Sequence, residues 1–195
     1  ISDEIYYGLV YDGKPFVSFA ALSDEVWKRT VLINGVSKSY AMTGWRIGYA
    51  CADDPIAKVM ANYVSHSTGS ASAISQKASV TALTAPQEKI EEMRKAFEER
   101  RNYIVKRMNS IPGVSCIRPE GAFYVMMNLE QLIGKTIHGV KITNDDVFAD
   151  AFLKYGLVAV VPGSGFGAPN FVRWAYATSL ENIKEGLDRL EKFLS

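Results

Sequence analysis

Residues 34–50, NGVSKSYAMTGWRIGYA, set a single lysine, Lys38, among small, aromatic and apolar neighbours. A partly desolvated site disfavours the charged form of a lysine, and the neutral amine can attack a carbonyl carbon to form a Schiff base. Position alone favours the simpler alternative, a lysine whose stem packs while its ammonium reaches water. Eight residues further on stands Arg46, flanked by Trp45 and Ile47. A guanidinium can hold a phosphate through two parallel hydrogen bonds, and the apolar flanks weaken the alternative of a surface ion pair. A second arginine, Arg173, lies in an alternating segment where Val172, Trp174 and Tyr176 share one face and Arg173, Ala175 and Ala177 the other. The small residues on its own face leave room for a ligand, against the alternative of pairing with a neighbouring acid.

These groups need elements to position them. Residues 30–33 (TVLI) and 47–52 (IGYACA) are short apolar runs with the pattern of strands buried on both faces of a parallel sheet. Lys38 then follows the carboxyl end of a strand, where ligands collect in open α/β sheets. Asp54-Pro55 reads as an N-cap and first helical residue, with Ile56, Val59, Met60, Tyr63 and Val64 at helical spacing. A second helix is expected over residues 73–83. A charged helix is expected over 87–109, with the stripe Ile90, Met93, Phe97, Ile104, Met108 and with Glu91 and Lys95 spaced for a pair. Beyond Pro112-Gly113 the pattern predicts a strand at 123–129 and a helix capped near Thr143-Asn144 and stopped at Gly156. Strands at 157–161 and 171–177 follow, and a closing helix carries Ile183, Leu187, Leu190 and Leu194, with Thr178 and Glu181 as a capping box. The order is α/β followed by a compact α+β unit, joined by a long helix.

Several functions are excluded or weakened. A P-loop needs glycine where Ser37 and Leu32 stand, and no Ser-x-x-Lys pair occurs. Gly163-x-Gly165-x-Gly167 lies between two strands and opens no helix, so it is weak support for a dinucleotide site. The near balance of 22 Lys+Arg against 21 Asp+Glu, with no single-sign block, argues against nucleic-acid or membrane-surface partners. Cys51 and Cys116 lack CxxC or Cys/His spacing, which fits a reduced, cytoplasmic protein without a metal site. The opening ISDEIYYG starts without methionine and resembles the end of a strand, as in a fragment of a longer protein.

The segment Gly35-Val36-Ser37-Lys38-Ser39-Tyr40-Ala41-Met42-Thr43-Gly44-Trp45-Arg46-Ile47-Gly48 resembles the pyridoxal-phosphate attachment segment of class-I aminotransferases, the aspartate aminotransferase family. Ser2-Asp3-Glu4-Ile5-Tyr6, Pro119-Glu120-Gly121-Ala122-Phe123-Tyr124, Val161-Pro162-Gly163 and Phe171-Val172-Arg173-Trp174-Ala175-Tyr176-Ala177 resemble the same family in the same order. The likeness covers essentially the whole chain and would correspond to the carboxyl-terminal half of a member.

The resemblance implies a partial fold-type-I architecture. Residues 1–86 would be the remainder of a cofactor-binding large domain with a parallel sheet, 87–112 a connecting helix, and 113–195 a small α+β C-terminal domain. It implies pyridoxal 5'-phosphate as cofactor and Lys38 as its Schiff-base partner and catalytic residue. Asp3 would face the pyridine nitrogen, Tyr6 the phenolic oxygen, Ser37 and Arg46 the phosphate, and Arg173 the substrate α-carboxylate. For a lone Asp3 a turn or capping role remains the alternative. Substrates would be an amino acid and a 2-oxo acid, and the full-length protein a homodimer. Two departures stand out. Many members carry a hydroxyl residue at Gly35, and some place an arginine for acidic side chains within residues 65–76, where SHSTGSASAISQ has none. Related carbon-sulfur lyases or synthases share the cofactor residues, and residues 1–195 alone are expected to bind the cofactor weakly or not at all, as an inert half-protein.

Overall fold

The computed structural model describes all 195 residues, which divide into two compact units, Ile1–Arg94 and Lys95–Ser195. The first unit begins with β1 (Ser2–Asp3) and a short helix α1 (Asp24–Lys28), whose N-cap Ser23 accepts a hydrogen bond from the Val26 amide. β2 (Leu32–Gly35) and β3 (Gly48–Cys51) complete a sheet of order β1-β2-β3. β1 runs parallel to β2, with Asp3 opposite Ile33, whereas β3 runs antiparallel to β2, with Gly35 opposite Gly48. The expectation of two parallel strands thus fails for β3, because an apolar run does not encode direction. β3 is also mostly exposed.

Two helices follow, α2 (Asp54–Ser67) and α3 (Ala73–Thr84). The N-cap of α2 is Asp53, one residue earlier than expected, with Pro55 in the first turn. The apolar stripe of α2 is present but exposed: Tyr63 retains 74% and Val59 68% of its surface. Val64 of α2, with Val80 and Leu83 of α3, lines a cavity of about 700 Å³ alongside Ile47, Gly48 and Tyr49.

The long helix α4 (Glu88–Met108) carries the boundary between the two units. Phe97, Ile104 and Met108 are buried as the spacing requires, and Glu91 grips Arg94 at 2.7 and 2.8 Å. On the same stripe Arg101 is completely buried; it donates to the Pro119 carbonyl at 2.9 Å and to Glu98 at 3.4 Å.

The second unit contains β4 (Ser115–Cys116), β5 (Tyr124–Asn128) and the hairpin of β6 (Thr136–Ile137) with β7 (Val140–Lys141). It continues with α5 (Asp145–Ala151), β8 (Val161–Pro162), β9 (Phe171–Ala175) and α6 (Leu180–Leu194). The antiparallel sheet has the order β4-β5-β9-β8. Val125, Met127, Val172 and Trp174 form its buried face, and Ile183, Leu187, Leu190 and Phe193 are the buried stripe of α6. Phe152 joins the two, its ring centre 5.7 Å from that of Trp174 and 5.1 Å from that of Phe193. Asn144 caps α5, as expected, but the last turn to Gly156 is a π-helix, and the expected strand at 157–161 shrinks to β8. The cap of α6 is Ser179, which accepts from the Asn182 amide, rather than Thr178.

No helix is long and apolar enough to cross a membrane.

Candidate active site

β2 delivers the chain into a tight turn at residues 36–40. The Ala41 amide donates to the Lys38 carbonyl at 3.2 Å, and the completely buried Ser39 hydroxyl accepts from the Gly8 amide at 3.3 Å. Ala41 and Arg46 both take left-handed backbone conformations, with φ of 53° and 54°. Such conformations are costly for non-glycine residues and concentrate where backbone geometry aims functional groups.

The turn forms one wall of a cavity of about 450 Å³, within the usual range for small-molecule sites. Its polar lining is Asp3, Asn34, Ser37, Lys38, Thr43 and Arg46, and Ile5, Ile33 and Ile47 supply apolar surface. Asp3, at the end of β1, accepts a hydrogen bond from the Ile5 amide at 3.2 Å. That is the turn contact its residue type favours, and it leaves the second carboxylate oxygen uncommitted. Arg46 makes no ion pair; its Nη1 donates to the Thr43 carbonyl at 2.8 Å. Tyr6, half-buried in the following turn, is outside the lining of this cavity, so four of the five expected cofactor contacts share it.

Gly35 has a local reason to be glycine. A Cβ there would meet the Ile47 carbonyl oxygen at 2.8 Å and the Ile5 Cδ1 at 3.2 Å, because the chain entering β3 runs close beside it, with Gly48 paired opposite. A side chain there, hydroxyl-bearing or otherwise, would require the backbone at Ile47 to shift.

In the second unit, Arg173 sits on the half-exposed face of β9, opposite Met126. Its guanidinium carbon lies 4.4 Å from the centre of the Tyr124 ring and 4.3 Å from that of Phe166. It forms neither an ion pair nor a hydrogen bond. The alternative of a paired strand arginine is therefore set aside: the side chain is a cation sandwiched between two rings with its N–H edge available. The face is not lined only by small residues, since Tyr124 comes from the adjacent strand and Phe166 from a loop, beyond the reach of β9's own alternation.

That loop is the glycine-rich stretch. It forms a turn between β8 and β9, anchored by the buried Asp145 carboxylate, which accepts from the Ser164 amide at 2.7 Å and the Asn170 amide at 3.3 Å. Burial alone would raise the Asp145 pKa, but these backbone donors outweigh it and hold the pKa below its ordinary value.

Residues 1–190 match the family model described as aminotransferase class I and II. The chain belongs to the class I and II aminotransferase family. It is 48% identical over 194 residues to an aspartate aminotransferase of Bacillus subtilis, covering 100% of this chain and 48% of that protein. A crystal structure of aspartate aminotransferase from Rhizobium meliloti superposes with a TM-score of 0.93 at 44% identity, covering 97% of this chain and 48% of the other. An aromatic aminotransferase from Pyrococcus horikoshii superposes at 0.90 with 35% identity, covering 99% and 50%. The chain thus spans about half the length of the curated relatives it matches. Beside the expected residues stand Asn34, Thr43, Tyr124 and Phe166, whose places follow from the fold rather than from the motif. Phe166 had one visible signal, as the lone aromatic within the glycine-rich loop.

Proposed function

We propose that the protein carrying this chain is a pyridoxal-phosphate-dependent aminotransferase, moving an amino group between an amino acid and a 2-oxo acid. The observation that carries this reading is the single cavity shared by an amine, a carboxylate, a hydroxyl and a guanidinium: Lys38, Asp3, Ser37 and Arg46. That donor set fits the cofactor of this family, which offers an aldehyde, a pyridine nitrogen and a phosphate. When bound, pyridoxal phosphate supplies an electron sink for the bond broken at the substrate α-carbon.

The chain's own residues divide the work by chemistry. Asp3, as a carboxylate, favours the protonated ring nitrogen. Arg46 and Ser37 hold the phosphate, with Arg46 as a bidentate donor. Tyr6 serves the phenolic oxygen. Lys38 would be the covalent anchor and, once displaced by substrate, its Nζ would carry the proton from the substrate α-carbon to the former aldehyde carbon of the cofactor. Arg173 binds the substrate α-carboxylate through its uncommitted edge. In this reading residues 1–86 belong to the cofactor-binding domain, 87–112 connect, and 113–195 form the small domain. The intact protein works as a cytoplasmic homodimer.

The test is to assay the intact protein for amino transfer that depends on added 2-oxo acid, alongside pyruvate release from a cysteine conjugate. Transfer without release supports the reading. Release without transfer replaces it with carbon-sulfur elimination on the same fold.

A further inference from the structure

The turn that carries Lys38 is tied to the turn that carries Tyr6 by a chain of side-chain hydrogen bonds with a fixed direction. Tyr7 and Tyr40 place their hydroxyl oxygens 3.0 Å apart, and the Tyr40 hydroxyl lies 3.1 Å from Oε1 of Gln87, just before α4. Either tyrosine could donate to the other if the pair stood alone. Gln87 removes the ambiguity. Its Nε2 donates to the carbonyls of Ala82, at 3.1 Å, and of Ala85, so Oε1 is the end presented to Tyr40 and can only accept. Tyr40 therefore spends its one proton on Gln87, and the Tyr7 hydroxyl must donate to Tyr40.

The direction runs Tyr7 to Tyr40 to Gln87, and both tyrosines adjoin residues of the candidate site. Tyr7 follows Tyr6, and Tyr40 lies two positions after Lys38. Burial raises the Tyr7 hydroxyl pKa, the bond to Tyr40 adds to the effect, and Tyr40 and Tyr49 contribute further, so the donor stays protonated. Backbone contacts run beside this chain. The Gly8 amide donates to the Ser39 hydroxyl, and a Cβ on Gly8 would lie 2.8 Å from that oxygen, so the two turns touch where the strut crosses.

We propose that Tyr7, Tyr40 and Gln87 form a one-way strut whose role is to fix the position of the Lys38 amine relative to Tyr6. They are positioning residues, acting through the turns they join. The proposal rests on the reading of Lys38 as the reactive lysine. Its geometry makes a prediction that a general structural role would not. Tyr40→Phe removes both bonds, whereas Tyr7→Phe removes one and leaves Tyr40 bonded to Gln87. The double variant should then behave as Tyr40→Phe alone, a non-additive pair.

The experiment uses the intact protein after removal of any bound cofactor and measures two quantities in the wild type, both single variants and the double variant. One is the rate at which an amine-acylating reagent labels Lys38, resolved by peptide mass mapping, with Lys14 and Lys106 as internal references. The other is amide exchange at Ala41, whose N–H donates to the Lys38 carbonyl. Tyr40→Phe should accelerate Ala41 exchange by up to about tenfold and change Lys38 labelling by at least about threefold, with the reference lysines unmoved. Tyr7→Phe should give a smaller change in the same direction. Unchanged Lys38 labelling and Ala41 exchange in Tyr40→Phe overturn the strut, as do additive effects in the double variant. Borohydride trapping of pyridoxal phosphate on the wild type runs in parallel. Failure to label Lys38 there counts against the functional reading alone, because the exchange data still decide the strut.

Discussion

Gly35 and Gly48 stand directly opposite one another across β2 and β3, and this pairing brings the Ile47 carbonyl to 2.8 Å from where a Gly35 Cβ would be. Gly35→Ser should therefore cost about 1–3 kcal/mol, as overpacking against backbone usually does. Gly44, in the same loop, has nothing within 4 Å of an added Cβ, so Gly44→Ala should be neutral or stabilising by up to about 1 kcal/mol. Urea denaturation of the two variants checks the contrast; equal stabilities would contradict it.

The sandwich of Arg173 between Tyr124 and Phe166 predicts that charge alone will not substitute for the guanidinium. Arg173→Lys keeps the cation but loses the planar fork and the stacking, and should raise KM for the amino acid substrate by about tenfold to a hundredfold. Phe166→Leu, which removes one ring, should raise it by a smaller factor, on the order of threefold. Steady-state kinetics on the intact protein measure both.

Asp145 predicts an acid limit for the second unit. Its folded pKa lies below the ordinary value of 3.8, so its stabilising contribution is complete above that value and is lost as pH falls through the folded pKa. Asp145→Asn should lower stability by about 1–3 kcal/mol at pH 7, with the gap to the wild type closing below about pH 4. Chemical denaturation at pH 7 and pH 3 gives the comparison; a gap that persists at low pH would contradict it.

What could be read from the residues was local. The helices over residues 54–67 and 88–108 followed from periodicity, that over 73–84 was placed by its bounds before Pro86, and the closing helix came from its stripe. The antiparallel direction of β3 was hidden, since pairing direction depends on the path of the chain and not on the composition of the strand. Periodicity gave α2 its apolar face but not what covers it, and Tyr63 and Val59 are exposed. Arg101 was concealed because a charged residue on an apolar stripe reads as a snorkelling surface cation; the tertiary position of the Pro119 carbonyl, with Glu98 and Asn102 beside it, satisfies the guanidinium in its burial. At the site, Lys38, Asp3, Ser37 and Arg46 were nameable from a motif, and the structure adds that they line one cavity. Tyr124 and Phe166 were not, because their proximity to Arg173 is created by strand register and a loop.

The central claim is that Lys38 is the lysine that holds the cofactor, and reductive trapping tests it most directly. The intact protein is incubated with pyridoxal phosphate, reduced with borohydride, digested and mapped by mass. One equivalent of label on the peptide carrying Lys38, abolished by Lys38→Ala, is the predicted result. Stoichiometric label on another lysine, or label that survives Lys38→Ala, would contradict the account.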